Sequence, residues 1–356
     1  MSIKTKTTLI ELQKTTISVH HQRRGLNTKN RKLIQKVIAV RQFASAEKEI
    51  IQALIPFFKE QGQSMVSRLR KLEKKSIKTS VPAASKLVSR IFDPDEWRSE
   101  LTNRLLPILA KKMAEAGVAH LMTLGIDVRR KQSRKDTKAT TAAEWANENI
   151  ADWISLTEAF DAAGLSLGIL AEIPKWMQES IAERLMESFS QDYWDTISQT
   201  TMGDAERVLS QGLADGWSID KMATQLRQYY EEGGFRYARR RSENIARTES
   251  GNALNGARKD SVARLQKELE GKVPIKQSWL SVLGNTTRFE HADLDGVPEN
   301  KRGMWNLDGT EIPWPGHISL SPAQRCNCQC SLTIEFGMNE EEAQREIEEY
   351  WDRAEN

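Results

Sequence analysis

Cysteine is almost missing from this chain: there are three in 356 residues, and all fall between Cys326 and Cys330. Thiols this close together cannot staple distant loops, which excludes a disulfide scaffold. Long apolar runs are missing too. The nearest, Gly164 to Ile173, falls short of the roughly 18 residues that a membrane-crossing helix needs, so no membrane partner is expected. The opening residues, MSIKTKTTLIEL, lack the apolar core and small-residue cleavage site of a signal peptide, and synthesis in a reducing cytoplasm is expected. Histidine is scarce, at five residues. No Gly-rich nucleotide loop, H-E-x-x-H helix or nucleophile elbow occurs, and no long internal repeat is evident.

What is present is ordinary in bulk and uneven in distribution. Apolar residues make up 39% and charged residues 28%, which suits a folded chain. The net charge of +3 conceals a polarity. Met1 to Asp136 carries 29 Lys+Arg against 12 Asp+Glu, a balance of +17, and the remainder carries 23 against 37, a balance of −14. Such asymmetry points the N-terminal part at something anionic, either nucleic acid or an acidic protein surface. The plain alternative is a solvated basic helical surface.

The apolar spacing predicts a mainly α protein: a long helical N-terminal region followed by a small α+β lobe with a few short strands. Residues 1–30 read as a basic flexible arm, 31–190 as a helical region, 191–336 as the unit that carries the motifs, and 337–356 as an acidic helix. Leu33 to Leu72 holds a helical stripe that Pro56 is expected to kink or split. Asp93, Pro94 and Glu96 make an N-cap, a first-turn proline and a capping box. Ser76 to Ser85 reads as a linker and Arg129 to Lys138 as a basic loop, with helical pattern again from Thr141 to Ala163. Pro174 should open one long helix reaching Ile197. Ser218 caps a helix that Gly233 and Gly234 end, and another runs from Tyr237 to Leu269. Beyond Gly271, Ile275 to Leu283 is strand-like, and Asn285 to Pro315 is loop-like. Cys328, Cys330, Leu332, Ile334 and Phe336 alternate with Gln329, Ser331, Thr333 and Glu335, the pattern of a half-buried strand.

Chemistry-bearing residues gather in the C-terminal part: Arg247-Thr248-Glu249, Asn252 and Asn255, then Trp279, Arg288, His291, Asp295-Gly296, Pro315-Gly316 and Asn327-Cys328-Gln329-Cys330. Glu249 and Asn252 share a helix face, and a buried Glu249 needs a cation, for which Arg288 is the expected partner. That set is either a polar clamp holding loop to helix or an active site in which Arg247, Glu249, Arg288, His291 and Asp295 supply acid–base and anion-binding chemistry. His291, Cys328 and Cys330 could bind zinc, with Cys326 or Asp293 as fourth ligand. The thiols could equally be small core residues, or Cys326 could join a strained disulfide. His20, His21, His120 and His317 have no neighbours at ligand spacing and read as surface or core. Arg239-Arg240-Arg241 could touch phosphate, with a solvated helix face as the alternative.

From about Gln191 to Phe336 this order of motifs resembles the phage Mu F-like minor head proteins, the phage head morphogenesis family. The chain departs from that pattern at Gln329, where Arg is usual, and by its extra Cys326. The resemblance implies a minor capsid protein of a tailed bacteriophage or prophage, made in the host cytoplasm and carried in the virion. It implies work with portal, scaffold and capsid proteins, and the basic N-terminal region could touch packaged DNA. It implies no established catalysis and no cofactor, with zinc left open. The competing expectation is a phage-delivered nuclease or nucleotide-modifying enzyme using Arg247, Glu249, Arg288 and His291.

Overall fold

The computed structural model describes residues 28–72, 81–124, 126, 175–188, 191–232, 234–282, 284 and 287–355. The basic arm with His20 and His21, the first half of the linker, the Arg129–Lys138 loop and the Thr141–Ala163 pattern lie outside them, and the second half of the linker, Val81 to Ser85, is helical and opens the second of the helices that follow. Seven helices come first among the described elements: α1 (Thr28–Lys71), α2 (Val81–Ile91), α3 (Pro94–Met122), α4 (Lys175–Ser188), α5 (Gln191–Ala214), α6 (Ile219–Arg227) and α7 (Gly234–Glu268). A π-helical turn, Gln228–Glu232, extends α6. A small lobe follows, with β1 (Ile275–Leu280), α8 (Phe289–Asp293), β2 (Trp305–Leu307), β3 (Thr310–Ile312), α9 (Pro322–Arg325) and β4 (Ser331–Phe336), and α10 (Glu340–Glu355) ends it. The expected mainly α body with a small α+β lobe is what forms.

The starts of the helices obey local chemistry. Asp93 Oδ1 accepts from the amides of Asp95 and Glu96, at 3.1 and 3.3 Å. Ser218 Oγ accepts from Lys221 N, and Asn339 Oδ1 from the amides of Glu341 and Glu342. Each satisfies donors that the first helical turn leaves orphaned. Glu96 does not close a capping box, because its carboxylate is taken by Arg68 of α1. Pro56 does not split α1. An internal proline costs a helix roughly 3 kcal/mol, which burial of the neighbouring Leu54, Phe57 and Phe58 outweighs. Of the helix expected between Pro174 and Ile197, the described residues are helical, in α4 and the start of α5, and residues 189–190 lie outside the described residues.

Helix α7 is the hub, packing against α1, α3, α4 and β4. One apolar core runs from Ile50 and Phe57 of α1 through Leu105 and Met113 of α3 to Leu265 of α7, Ile334 of β4 and Ile347 of α10. It therefore crosses the line drawn between 190 and 191. A second, smaller core fills the lobe with Trp279, Trp305, Leu307, Ile312, Trp314, Leu320, Leu332 and the two cysteines Cys328 and Cys330.

Strands β1 and β4 pair antiparallel with Trp279 opposite Leu332. Strand β4 is not half-exposed as its alternation suggests: Ser331 and Thr333 are buried along with Leu332 and Ile334. Ser331 meets Arg258 of α7, which reaches it at 2.9 Å. The outer edge of β1 is covered by residues 296–299, whose backbone exchanges hydrogen bonds with Gln277 and Trp279. The outer edge of β4 is covered by a side chain. Gln35 of α1 donates from Nε2 to Ile334 O at 2.9 Å and accepts from Ile334 N at 3.2 Å. One carboxamide thus takes the place of a peptide group from a neighbouring strand.

The hairpin β2–β3 lies inside the stretch read as loop. Asp308 and Gly309 at its tip have φ of 51° and 80°, left-handed at both turn positions, and Asp-Gly is the dipeptide that suits such a turn.

Replacing Gln35 with Ala leaves both backbone groups of Ile334 without this partner at a buried edge. The expected loss is about 2 kcal/mol, read as a lower urea midpoint for the full chain, while Gln52→Ala at an exposed position of the same helix serves as the comparison.

Candidate metal centre

Helix α7 presents a line of polar side chains to the lobe, and the line explains why those residue types recur there. Thr248 Oγ1 donates to Asn244 O within the helix and accepts Asn327 N at 3.3 Å. Asn252 Oδ1 accepts the indole N–H of Trp314 at 3.0 Å. Asn255 Nδ2 donates to both Pro315 O and Cys330 O, at 3.0 and 2.8 Å. Gly251 lets the cysteine strand come close, since a Cβ there would stand 2.9 Å from Cys328 O. Asn327 sits at φ 58°, a left-handed conformation that asparagine tolerates better than most residues.

Glu249 is buried and pairs with Arg325 at 2.9 Å, not with the expected Arg288. Arg325 ends α9 and reaches Glu249 on α7, whereas Arg288 donates to Cys326 O at 2.7 Å. Arg247 turns the other way and meets Glu47 of α1 at 3.5 Å. Asp295 accepts Ser281 N at 2.8 Å and lies 3.4 Å from Lys32 of α1. Gly296 takes the left-handed turn after it, at φ 79°. The five residues of the proposed acid–base set are thus spread among separate structural contacts. Arg239 pairs with Glu243, while Arg241 stacks on Phe58, so the three arginines do not act as one patch.

Buried Arg258 ties the lobe to both long helices through Asn255 and Ser331, each at 2.9 Å, and through Gln42 of α1. Among the described residues no carboxylate pairs with it, and burial lowers its pKa to about 9. Its place inside an otherwise charged, exposed-looking helix stretch hid it from sequence reasoning. Arg325, Ser281 and Gln35 were missed for the same reason, since their partners lie far away in the chain.

At the centre of the lobe stand His291, Cys328 and Cys330, all buried. His291 Nδ1 is 3.5 Å from the Sγ of Cys328 and 3.5 Å from that of Cys330. Gln324 Oε1 sits 3.0 Å from His291 Nε2, where it accepts the ring N–H and turns the Nδ1 lone pair towards the sulfurs. Ser281 Oγ donates to His291 O at 2.8 Å and approaches Cys330 Sγ at 3.6 Å. The indole of Trp279 closes one side, edge to face with the imidazole at 5.7 Å. The two thiols titrate as a unit. Cys330 is held well below the usual range by the hydrogen bond from Cys328 and then by His291 and Ser281, whereas Cys328 is pushed well above it by sharing that bond and by burial. Cys326 is exposed at the end of α9 and stands outside the cluster, so neither it nor Asp293 joins the group of three. Two sulfurs and an imidazole nitrogen converging on one point suit a soft divalent ion, and they also satisfy one another as hydrogen-bonded thiols.

His317 rests against Trp314, ring centroids 4.4 Å apart, and its Nδ1 accepts Ser319 N. Burial first, then the charges of Arg184 and Arg325, hold its pKa down to about 4 from the ordinary 6.5. Fully buried His120 is pushed well down too, by burial and by Arg258.

Breaking the Glu249–Arg325 pair with Glu249→Ala strands a buried cation and is expected to cost about 3 kcal/mol. A double-mutant cycle with Arg325→Met should show the coupling, whereas a clamp that did not matter would give additive losses. For His317 the unfolded chain binds a proton below about 6.5 that the folded chain refuses until about 4, so stability is lost as pH falls through that window. His120 adds to the loss in the same direction. Chemical denaturation from pH 7 to 4 should show the midpoint dropping, and His317→Asn should flatten the drop by up to one proton.

No curated protein and no solved structure matches this chain. Residues 204–333, which supply the end of α5, all of α6 and α7 and the lobe into β4, match the family described as Phage Mu protein F like protein.

Proposed function

We propose that this protein is a minor head protein of a tailed bacteriophage or prophage, carried in the virion and acting in head assembly at the portal. The match of residues 204–333 to the family described as Phage Mu protein F like protein supports a role in phage head morphogenesis. The observation that supports the finer reading is how the signature residues are used. Thr248, Glu249, Asn252, Asn255, Trp279, Asp295 and Asn327 each hold the lobe on α7 or hold its own turns. Arg31, Lys32, Gln35 and Glu47 of α1 grip the other side. A lobe fixed at this many points is a rigid docking block, which an assembly factor needs.

Part of the charge polarity is spent inside the molecule, where Arg31 meets Glu340 and Lys32 meets Asp295. More of the N-terminal basic charge lies in residues 1–27 and 129–138, outside the described residues. That remaining charge is the part available for packaged DNA or an acidic face of the portal, with scaffold and capsid proteins as further neighbours. No described helix is long and apolar enough to cross a membrane.

Heads purified from a phage deleted for this gene should be aberrant or non-infectious, and cross-links from Met1–Asp136 should reach the portal protein in intact procapsids. Normal particles with normal infectivity would sink the reading. If the same region also contacts DNA, affinity should fall steeply with salt, by about ten-fold or more between 50 and 200 mM.

A further inference from the structure

We propose that His291, Cys328 and Cys330 are three protein ligands of a zinc site at the centre of the lobe, with the fourth position filled by water or another ligand from outside the chain. The proposal stands apart from the head-assembly reading and neither needs the other.

The geometry carries it. Zinc bonds of about 2.3 Å to sulfur and about 2.0–2.1 Å to imidazole nitrogen put nitrogen and sulfur roughly 3.6 Å apart across a tetrahedral angle. The two nitrogen–sulfur separations here are both 3.5 Å. The two nitrogen–sulfur edges of the tetrahedron are already at length before any ion is placed there, and all three ligand atoms lie within 4.8 Å of one another.

The ligands are also positioned from behind. Gln324 takes the far nitrogen of the imidazole, the arrangement that orients a metal-binding histidine and fixes its tautomer. Ser281 holds the backbone of His291 through its carbonyl. Asn255 holds the carbonyl of Cys330, and Gly251 makes room for that of Cys328. Asn327, beside Cys328, is bound by Thr248. Residues from α7, α8, α9 and the segment just after β1 thus all converge on three ligand atoms, although they lie far apart in the chain.

Charge favours the ion as well. Binding replaces two S–H bonds with two sulfur–zinc bonds and releases two protons to solvent, so the dipositive ion is matched by two thiolates. A neutral unit of this kind can be buried without a stranded charge. Cys326 is exposed and its backbone is tied to Pro322 and Arg288, so it is left out of the ligand set.

The test uses the full chain, produced without a metal-binding tag in zinc-supplemented medium and purified with reductant. Elemental analysis should give one zinc per chain in the unaltered protein and in Cys326→Ser, and a loss of most of it in Cys328→Ser and Cys330→Ser. A chelator should lower the thermal unfolding temperature of the unaltered protein, and added zinc should restore it. Gln324→Ala should weaken zinc binding by roughly ten-fold while leaving the stoichiometry at one, as expected of a positioning residue. If the cysteine variants fail to fold, cobalt titration of the unaltered protein decides, since two thiolate ligands give a charge-transfer band scaled to two sulfurs. Zinc no higher than in the cysteine variants, or a cobalt spectrum without thiolate charge transfer, overturns the site. Loss of the metal in Cys326→Ser overturns the three-ligand assignment.

Discussion

The lobe exists because α7 offers it a polar seam in the middle of an otherwise apolar hub. Small lobes of this size bury too little apolar surface to be stable alone, and this one has a core of only a few tryptophans, aliphatics and thiols. Its irregular turns leave backbone carbonyls and amides that must be paired once water is excluded. Thr248 and Asn255 meet that need, and Asn252 and Arg258 add bonds to the side chains of Trp314 and Ser331, all from a single helix face at spacings of three or four residues. Remove that seam and the turns around Asn327 and Pro315 have nothing to fold against.

The seam also explains why polar residues sit in the interior of a long helix. Asparagine and threonine are mediocre helix formers, and a buried arginine without a carboxylate is costly. Here each is retained because its hydrogen-bonding group lands on a backbone atom or a side chain of the lobe. The same logic puts Gly251 where the cysteine segment passes, as a larger residue would hold the two apart.

Local chemistry was readable from sequence and long-range pairing was not. The caps at Asp93, Ser218 and Asn339 rest on residues within a few positions of one another, and so does the alternation of β4. The pairing of Trp279 with Leu332 was foreseeable because both strands are short and apolar on one face. The hairpin at Asp308-Gly309 was legible too, and its dipeptide was passed over because the surrounding Gly- and Pro-rich stretch masked two three-residue strands. The partner of Glu249 was not legible. Arg288 and Arg325 have the same chemistry, and only the path of the chain through α9 selects between them. Pro56 and the unbroken α1 show tertiary packing overriding a local rule, and the gathering of His291 with the two thiols depended on β1 and α8 folding back across the lobe.

Gln35 has a consequence of another kind. A two-stranded sheet has two open edges, and an open edge is a template on which a second copy of the same chain can add a strand. Here the backbone of residues 296–299 closes one edge and a single side-chain amide closes the other at Ile334. Glutamine can do this because its carboxamide carries a donor and an acceptor side by side, as a peptide group does. The long N-terminal helix therefore acts as a guard at this edge, where a strand from a second copy would have to displace Gln35 before it could pair with Ile334.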